Sequence, residues 1–465
     1  MLTYLLEKES GESLYEQLYR RIRRDILHGA LREGEKLPSK RALAEHLRVS
    51  VITVENAYEQ LAAEGYVYAR ERRGYYVSAV ETPAASAAEE VKPVETAAAE
   101  WKLDLVTNTP AAESFPFATW ARLMRRVLLD RGTDLLRPTN GVGVWELRCA
   151  IAAYLRSFRG MSVHPEQIVV GAGTELLYLL LIQLLGRDKV YAVEDPGYGK
   201  IGRIYAENGV AVRRVALDHS GVSVSALRQS GADVVHLSPG HHFPTGLVTP
   251  VTRRQELLRW ASEREGRWIL EDDYDSEFRF VGRPIPTLFS ASGGERVIYM
   301  NTFSKTIAPS IRISYMILPV RLMEAYRRRL GFYACTVPAF EQYTLASFLS
   351  EGYYERHLRS MKTRYHRKRD TVIESIRSVL PDARIREEDA GLHFLAQVHT
   401  SLTDGELRRR AGEAGIRLAL LSEYYSVPSD APQHVLVINY SGIDTAHLAE
   451  GLQVLRAILE PSERG

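Results

Sequence analysis

Apolar residues recur every fourth position at Leu14, Leu18, Ile22 and Ile26, drawing one stripe along a helix that ends near Gly29, a natural C-terminal cap. Arg20, Arg21, Arg23 and Arg24 fall largely off that stripe. LPSKRALAEHL then supplies Pro38, a Ser39 N-cap and a short helix with Leu43 and Leu47 inward. VSVITVENAYEQLAAEGY follows with a Ser50 cap and a third helix, in which Val54, Ala57, Tyr58 and Leu61 make the i, i+3, i+4, i+7 pattern of a buried face. After Gly65 the period shortens to two. YVYARERRGYYVS alternates around Arg70, Arg72, Arg73 and Gly74, as a two-stranded wing does.

The pattern then lapses. AVETPAASAAEEVKPVETAAAE, residues 79–100, is Ala, Glu, Pro and Thr, and cannot bury enough apolar surface to offset its ordering entropy. This predicts a domain over 1–78, a flexible linker over 79–101 and a second domain over 102–465. In the second domain the apolar runs QIVVG, KVYAVED, ADVVHLSP, RWILEDD and RVIYMN alternate with helical segments, which predicts a mainly parallel sheet covered on both faces. No internal repeat recurs at a fixed period.

Composition narrows the picture. Across 465 residues, 45% hydrophobic and 25% charged with a net charge of +2, the chain matches ordinary globular proteins and has no general attraction to polyanions. Residues 1–78 carry 13 Lys and Arg against 12 Asp and Glu, so nucleic-acid affinity there needs local clusters and a dimer. Cys149 and Cys335 are far apart, which fits a reducing cytosol and no structural metal. The longest apolar run, LLYLLLIQLL at 176–185, is too short to span a bilayer, and the N-terminus turns acidic at Glu7 before a signal-peptide core can build. These features predict a cytoplasmic protein.

Two places carry candidate chemistry. The two short helices with a brief turn form a helix-turn-helix, whose second helix can present Ser50, Val51, Ile52 and Thr53 to base edges, although a small helical bundle with solvated arginines also serves as a protein-interaction module. In the second domain QIVVGAGTELLYLLL reads as strand, glycine turn and helix, with the N–H groups of Gly173, Thr174 and Glu175 free to meet a phosphate. RWILEDDYDSEFRF ends a strand in acids beside Tyr274, an arrangement that metal binding or plain solvation also explains. NTFSKTIAPSIRISYMILP holds one lysine, Lys305, with Thr302 and Ser304 before it and Arg312 seven residues after it. A lone lysine is most often a surface cation. In this order, however, the parts match what pyridoxal phosphate requires: an amine for its aldehyde, a carboxylate for its pyridine nitrogen, and hydroxyls, N–H groups and a guanidinium for its phosphate. Tyr198 in EDPGYGK can stack on the ring face, and Pro244-Thr245-Gly246 makes a tight turn beside it.

Residues 12–78 resemble the winged-helix domain of the GntR family of bacterial regulators. That resemblance implies DNA contacts from Arg41, Ser50 and Thr53, with Arg72 and Gly74 on a wing near the minor groove. Many relatives carry an arginine just after the cap, where Val51 and Ile52 stand here; their side chains suit thymine methyls instead. Residues 103–460 resemble fold-type I aminotransferases, and the combination resembles the MocR subfamily of GntR regulators. The implied architecture is an α+β winged helix-turn-helix domain followed by an α/β fold-type I, pyridoxal-phosphate-dependent aminotransferase-like domain. The resemblance makes Lys305 the covalent cofactor lysine and Asp272 the partner of the pyridine nitrogen, although its neighbour Asp273 points to the opposite face and only one of the two can reach. It makes Tyr274 a donor to the phenolic oxygen, and gives the phosphate to Gly173, Thr174, Thr302, Ser304 and Arg312.

The sequence departs from that pattern in three places. Phe243 replaces the asparagine of Asn-Pro-x-Gly, leaving His242 the nearest polar substitute; Val437 stands where many aminotransferases have a carboxylate-binding arginine; and Glu423 stands where amino-acid-binding regulators have another. His393, Lys200 and Arg203 are the candidate stand-ins. The expectation is a homodimeric transcriptional regulator that binds operator DNA and senses pyridoxal phosphate or an amine or amino-acid effector. The alternatives are an active aminotransferase with a DNA-binding appendage, or a cofactor-free dimerisation scaffold.

Overall fold

The computed structural model describes residues 2–7, 11–80, 101–110, 112–280, 285–387 and 391–460, so nearly all of the expected linker lies outside the described residues. The chain divides into two units, Met1–Ala98 and Ala99–Gly465.

The first unit contains α1 (Leu14–Leu27), α2 (Lys40–Leu47), α3 (Val51–Ala63) and an antiparallel hairpin of β1 (Val67–Arg70) and β2 (Gly74–Val77). Both short helices begin where a serine can cap them: Ser39 Oγ accepts from the Ala42 N–H at 3.2 Å and Ser50 Oγ from the Thr53 N–H at 3.1 Å. Leu18, Ile22, Leu43, Val54, Ala57, Tyr58 and Leu61 are buried together, so the expected stripes meet in one core. Burial of each such leucine contributes roughly 1.5–3 kcal/mol. The buried Tyr58 hydroxyl donates to the Pro38 carbonyl at 3.0 Å, tying α3 to the start of α2. The wing turns through Arg72 at φ 56° and Gly74 at φ 105°, a left-handed bend that glycine accommodates without strain.

The second unit is built on an eight-stranded sheet in the order Ile168–Gly171, Ser314–Ile317, Val297–Thr302, Trp268–Asp272, Val234–Leu237, Val190–Asp195, Ala211–Asp218, Gly221–Val222. The expected parallel core is present from Val297–Thr302 through Ala211–Asp218. Ser314–Ile317 runs antiparallel to both of its neighbours. The C-terminal ends of the parallel strands, the end of Ile168–Gly171 and the start of Ser314–Ile317 therefore share one edge, where open α/β sheets bind ligands. Two apolar clusters cover the two faces of the sheet. A smaller antiparallel sheet of Arg384–Arg386, His393–Gln397 and Val435–Asn439 shares its own core with the 27-residue helix Tyr353–Val379 and with Leu448–Leu459. Among the described residues no helix is long and apolar enough to cross a membrane.

Candidate functional site

In the first unit, α3 presents its amino-terminal turn to solvent. Val51 is 42% and Ile52 66% exposed, and Arg41, Arg72 and Gly74 are exposed as well. Ser50 and Thr53, expected to meet DNA, turn their hydroxyls toward each other at 2.8 Å while Ser50 also caps the helix. Their first role is to build the turn. Glu55 is held by Lys40 at 2.5 Å, and the Arg70 guanidinium lies 5.4 Å and 4.8 Å from the Tyr68 and Tyr76 ring centres, bracing the wing.

In the second unit the sheet edge gathers residues scattered from 108 to 441. Lys305 Nζ donates to the Asn108 carbonyl at 2.8 Å, and burial pushes its pKa below the usual lysine value while Asp275 pulls the other way. Asp272 and Asp273 diverge as strand alternation requires. The Asp273 carboxylate is taken up by a buried pair with Arg159 at 2.7 Å and by the Tyr299 hydroxyl at 2.7 Å. Asp272 Oδ2 accepts from the Tyr178 hydroxyl at 2.8 Å, with His236 Nε2 at 3.5 Å, while its buried Oδ1 has no partner among the described residues. One carboxylate is thus committed to the fold and the other keeps a free acceptor.

The glycine turn is a cradle of limited size. Gly173 has φ 89°, and a Cβ there would lie 2.2 Å from Arg312 Nη2, so the guanidinium rests directly over the backbone at the start of the helix Thr174–Leu185. Glu175 in the first turn pairs with Arg312 at 3.3 Å and with Lys200. This carboxylate holds both cations at the start of the helix. The buried Thr302 hydroxyl accepts from the Ser304 N–H at 3.1 Å and from the Ser314 hydroxyl at 2.8 Å, which fixes it within the lysine loop, while its own O–H has only a long 3.5 Å contact to the Ile313 carbonyl. The Ser304 side chain has no such commitment among the described residues. Thr306, next to Lys305, accepts the Tyr354 hydroxyl at 3.0 Å on Oγ1 and the His357 Nε2–H at 2.7 Å on its carbonyl, which ties the lysine loop to the first turns of the helix Tyr353–Val379.

An aromatic group gathers around Phe243. Tyr198 is 52% exposed and meets Phe243 edge to face at 6.0 Å, and Phe243 in turn packs on His393 at 5.0 Å and Tyr424 at 5.1 Å. Among the expected stand-ins, His242 turns aside: its Nδ1 meets Thr245 Oγ1 at 2.7 Å and its Nε2 lies 3.5 Å from Glu194, and burial lowers its pKa to about 3. His241 is the histidine that reaches the Tyr274 hydroxyl, at 3.3 Å, while its Nδ1 lies 2.8 Å from Asp275 Oδ2. The GHHFPTG segment displayed both histidines, but only the turn geometry separates them. His393, His241 and Asp275 bring side-chain atoms within 4.8 Å of one another, and burial holds His393 well below its ordinary pKa. Val437 is fully buried in an apolar cluster with Leu395, Leu421 and Val435, against which Phe243 and Tyr424 pack. Glu423 is engaged by Arg408 at 2.7 Å and by the Leu420 N–H at 3.0 Å. Lys200 is occupied with Glu175, and Arg203 is exposed on the helix Gly199–Glu207.

The geometry defines a winged helix-turn-helix unit and, in the second unit, a buried lysine at the carboxyl edge of an α/β sheet. Residues 14–77 match the model for bacterial regulatory proteins of the gntR family, and residues 101–455 match aminotransferase class I and II. The chain is 35% identical to YdeL, an uncharacterized HTH-type transcriptional regulator of Bacillus subtilis, covering 98% of this chain and 99% of that one. It is 32% identical to the probable rhizopine catabolism regulatory protein MocR of Rhizobium meliloti, covering 97% and 95%. In fold the second unit resembles the kynurenine aminotransferase of Pyrococcus horikoshii, with a TM-score of 0.69, 20% identity and coverage of 79% and 93%. The chain belongs to the MocR-like family of GntR transcriptional regulators, in which the aminotransferase-type domain binds pyridoxal phosphate.

Proposed function

We propose that the second unit is a sensor whose state is passed through the 79–101 segment to the DNA-binding unit. The observation that carries this reading is the contrast between the two ends of the pocket. At the cofactor end, a desolvated Lys305, an unpartnered Asp272 Oδ1 and an Arg312 guanidinium resting on Gly173 support the reading, with Thr174, Thr302 and Ser304 assigned to the same phosphate. At the ligand end, the position of the usual carboxylate-binding arginine is a buried valine among aromatic rings. Pyridoxal phosphate, when bound, supplies an aldehyde and an electron-withdrawing ring. The chain's own residues then hold it: Lys305 covalently, Asp272 at the pyridine proton, Tyr274 near the phenolic oxygen and Tyr198 at the ring face. A missing bidentate fork weakens the grip on any α-carboxylate, so binding without efficient turnover is the expected outcome. A homodimer would present two winged helices to the halves of a symmetric operator, in the cytoplasm where the chromosome lies.

The test is an absorption titration of the cofactor-loaded protein with amino acids, amines and pyridoxal phosphate, combined with footprinting on randomly selected duplexes. A spectral shift that stops short of conversion to the amine form of the cofactor, and that alters the footprint, is expected. Conversion reversed by a keto acid would favour a working aminotransferase. Lys305→Ala should abolish the visible band; a Lys305→Ala protein with unchanged colour would refute the assignment of the lysine.

A further inference from the structure

Resting on the regulator reading, we propose that α3 selects its operator through thymine methyl groups, with Val51 and Ile52 as the methyl-reading residues and Asn56 as the adenine-reading residue one turn further on. The four positions expected to meet base edges divide in the structure. Ser50 and Thr53 spend their hydroxyls on each other and on the helix cap. Glu55 is drawn back onto Lys40. What remains outward on the first two turns is apolar at Val51 and Ile52, and amide at the exposed Asn56, four residues after Ile52 and therefore on the same face.

Val51 at 42% and Ile52 at 66% exposure form an adjacent apolar pair on the turn of α3 that a helix-turn-helix offers to the groove. The surroundings specify the partner's chemistry. Arg41 lies in the first turn of α2, Arg48 at its left-handed C-cap, and Arg72 and Arg73 on the wing, all exposed, so cations flank the apolar turn. That combination is complementary to a major groove: phosphates on the rims, and on the floor the C5-methyl of thymine, its one apolar group. Asn, with one donor and one acceptor side by side, matches adenine N7 and N6. The half-site should thus contain adjacent thymines with an adenine within reach of the next helical turn, and it should tolerate 5-methylcytosine in place of thymine better than cytosine.

The experiment uses the full chain, with duplexes enriched from a random pool and then resynthesised with uracil replacing thymine one position at a time. Loss of a methyl from an apolar contact should weaken binding roughly fourfold at each read position, at constant salt. Ile52→Ala should bind thymine and uracil duplexes equally at one of those positions, and Val51→Ala at its neighbour, while Asn56→Ala should relax an adenine preference. Because Val51, Ile52 and Asn56 are exposed, the helical circular dichroism of these variants should match wild type. Uracil duplexes bound as tightly as thymine duplexes at every position, or methyl discrimination surviving in both apolar variants, would overturn the proposal while leaving the regulator reading intact. Failure to enrich any duplex would overturn both.

Discussion

Gly173→Ala tests the proposed phosphate cradle where Arg312 rests on the backbone. The glycine holds φ 89° and ψ 160°, a region of backbone space that an alanine enters only at a cost of about 1–3 kcal/mol. The added Cβ would also stand 2.2 Å from Arg312 Nη2 and 2.8 Å from its Cζ, so the guanidinium must leave the helix start. Arginine side chains move readily, and the second cost therefore falls on ligand binding. Loss of one charge-assisted hydrogen bond of about 1.5–3 kcal/mol corresponds to pyridoxal phosphate binding weaker by roughly 10- to 150-fold. The assay is a cofactor titration of the apoprotein by absorbance, next to urea unfolding of the same preparation. Arg312→Gln is the comparator, because it removes the guanidinium without straining the backbone. Both variants should lose affinity, and only Gly173→Ala should lose apoprotein stability. A Gly173→Ala protein that binds the cofactor within twofold of wild type and unfolds at the same urea concentration would refute the reasoning.

Two further outcomes follow from neighbouring carboxylates. Asp273→Asn breaks a buried ion pair with Arg159 and should destabilise the chain by about 3–5 kcal/mol in urea unfolding, whereas Asp272→Asn should leave unfolding nearly unchanged and weaken cofactor binding; equal effects of the two on unfolding would contradict the division of roles. Glu194 is pushed up to about 8, first by burial and then by the charge of Asp272, against a hydrogen bond from the Ser238 N–H. Since the folded value lies above the unfolded one, the favourable contribution of neutral Glu194 is complete below about pH 4.5 and is lost as pH rises to 8. Glu194→Gln should remove that loss, on the order of 2–4 kcal/mol after discounting for the nearby surface, so parallel stability curves for variant and wild type from pH 5 to 8 would disprove it.

Much of this was legible from spacing. Capping serines, four-residue stripes and the shift to period two at Gly65 are local signals, and α1 to β2 follow them closely. Lys305, Asp272 and the Gly173 turn could be located because each ends or follows an apolar run, and strand ends are placed by topology. The chain could not disclose partners distant in sequence. Asn108 meets Lys305 across 197 positions, and Tyr178 reaches Asp272 across 94. Alternation declared that Asp272 and Asp273 face opposite ways, but which face carries Arg159 depends on the packing of a helix 114 residues earlier. The surroundings of Thr302 are hidden for a related reason: its neighbour Ser314 lies on the antiparallel strand, twelve residues later.

The helix Tyr353–Val379 is fastened by its first turns to the residue after Lys305 and ends within the core of the smaller sheet. Twenty-seven residues at 1.5 Å each make a rod of roughly 40 Å. It is held along its length, by Tyr354 and His357 at the lysine loop and by Met361 through Val379 in the core of the smaller sheet, so it acts as a strut rather than a free arm. The lysine loop and the smaller sheet therefore share one structural member, whose first turns are tied to Thr306 and whose last turns are buried among the strands of that sheet.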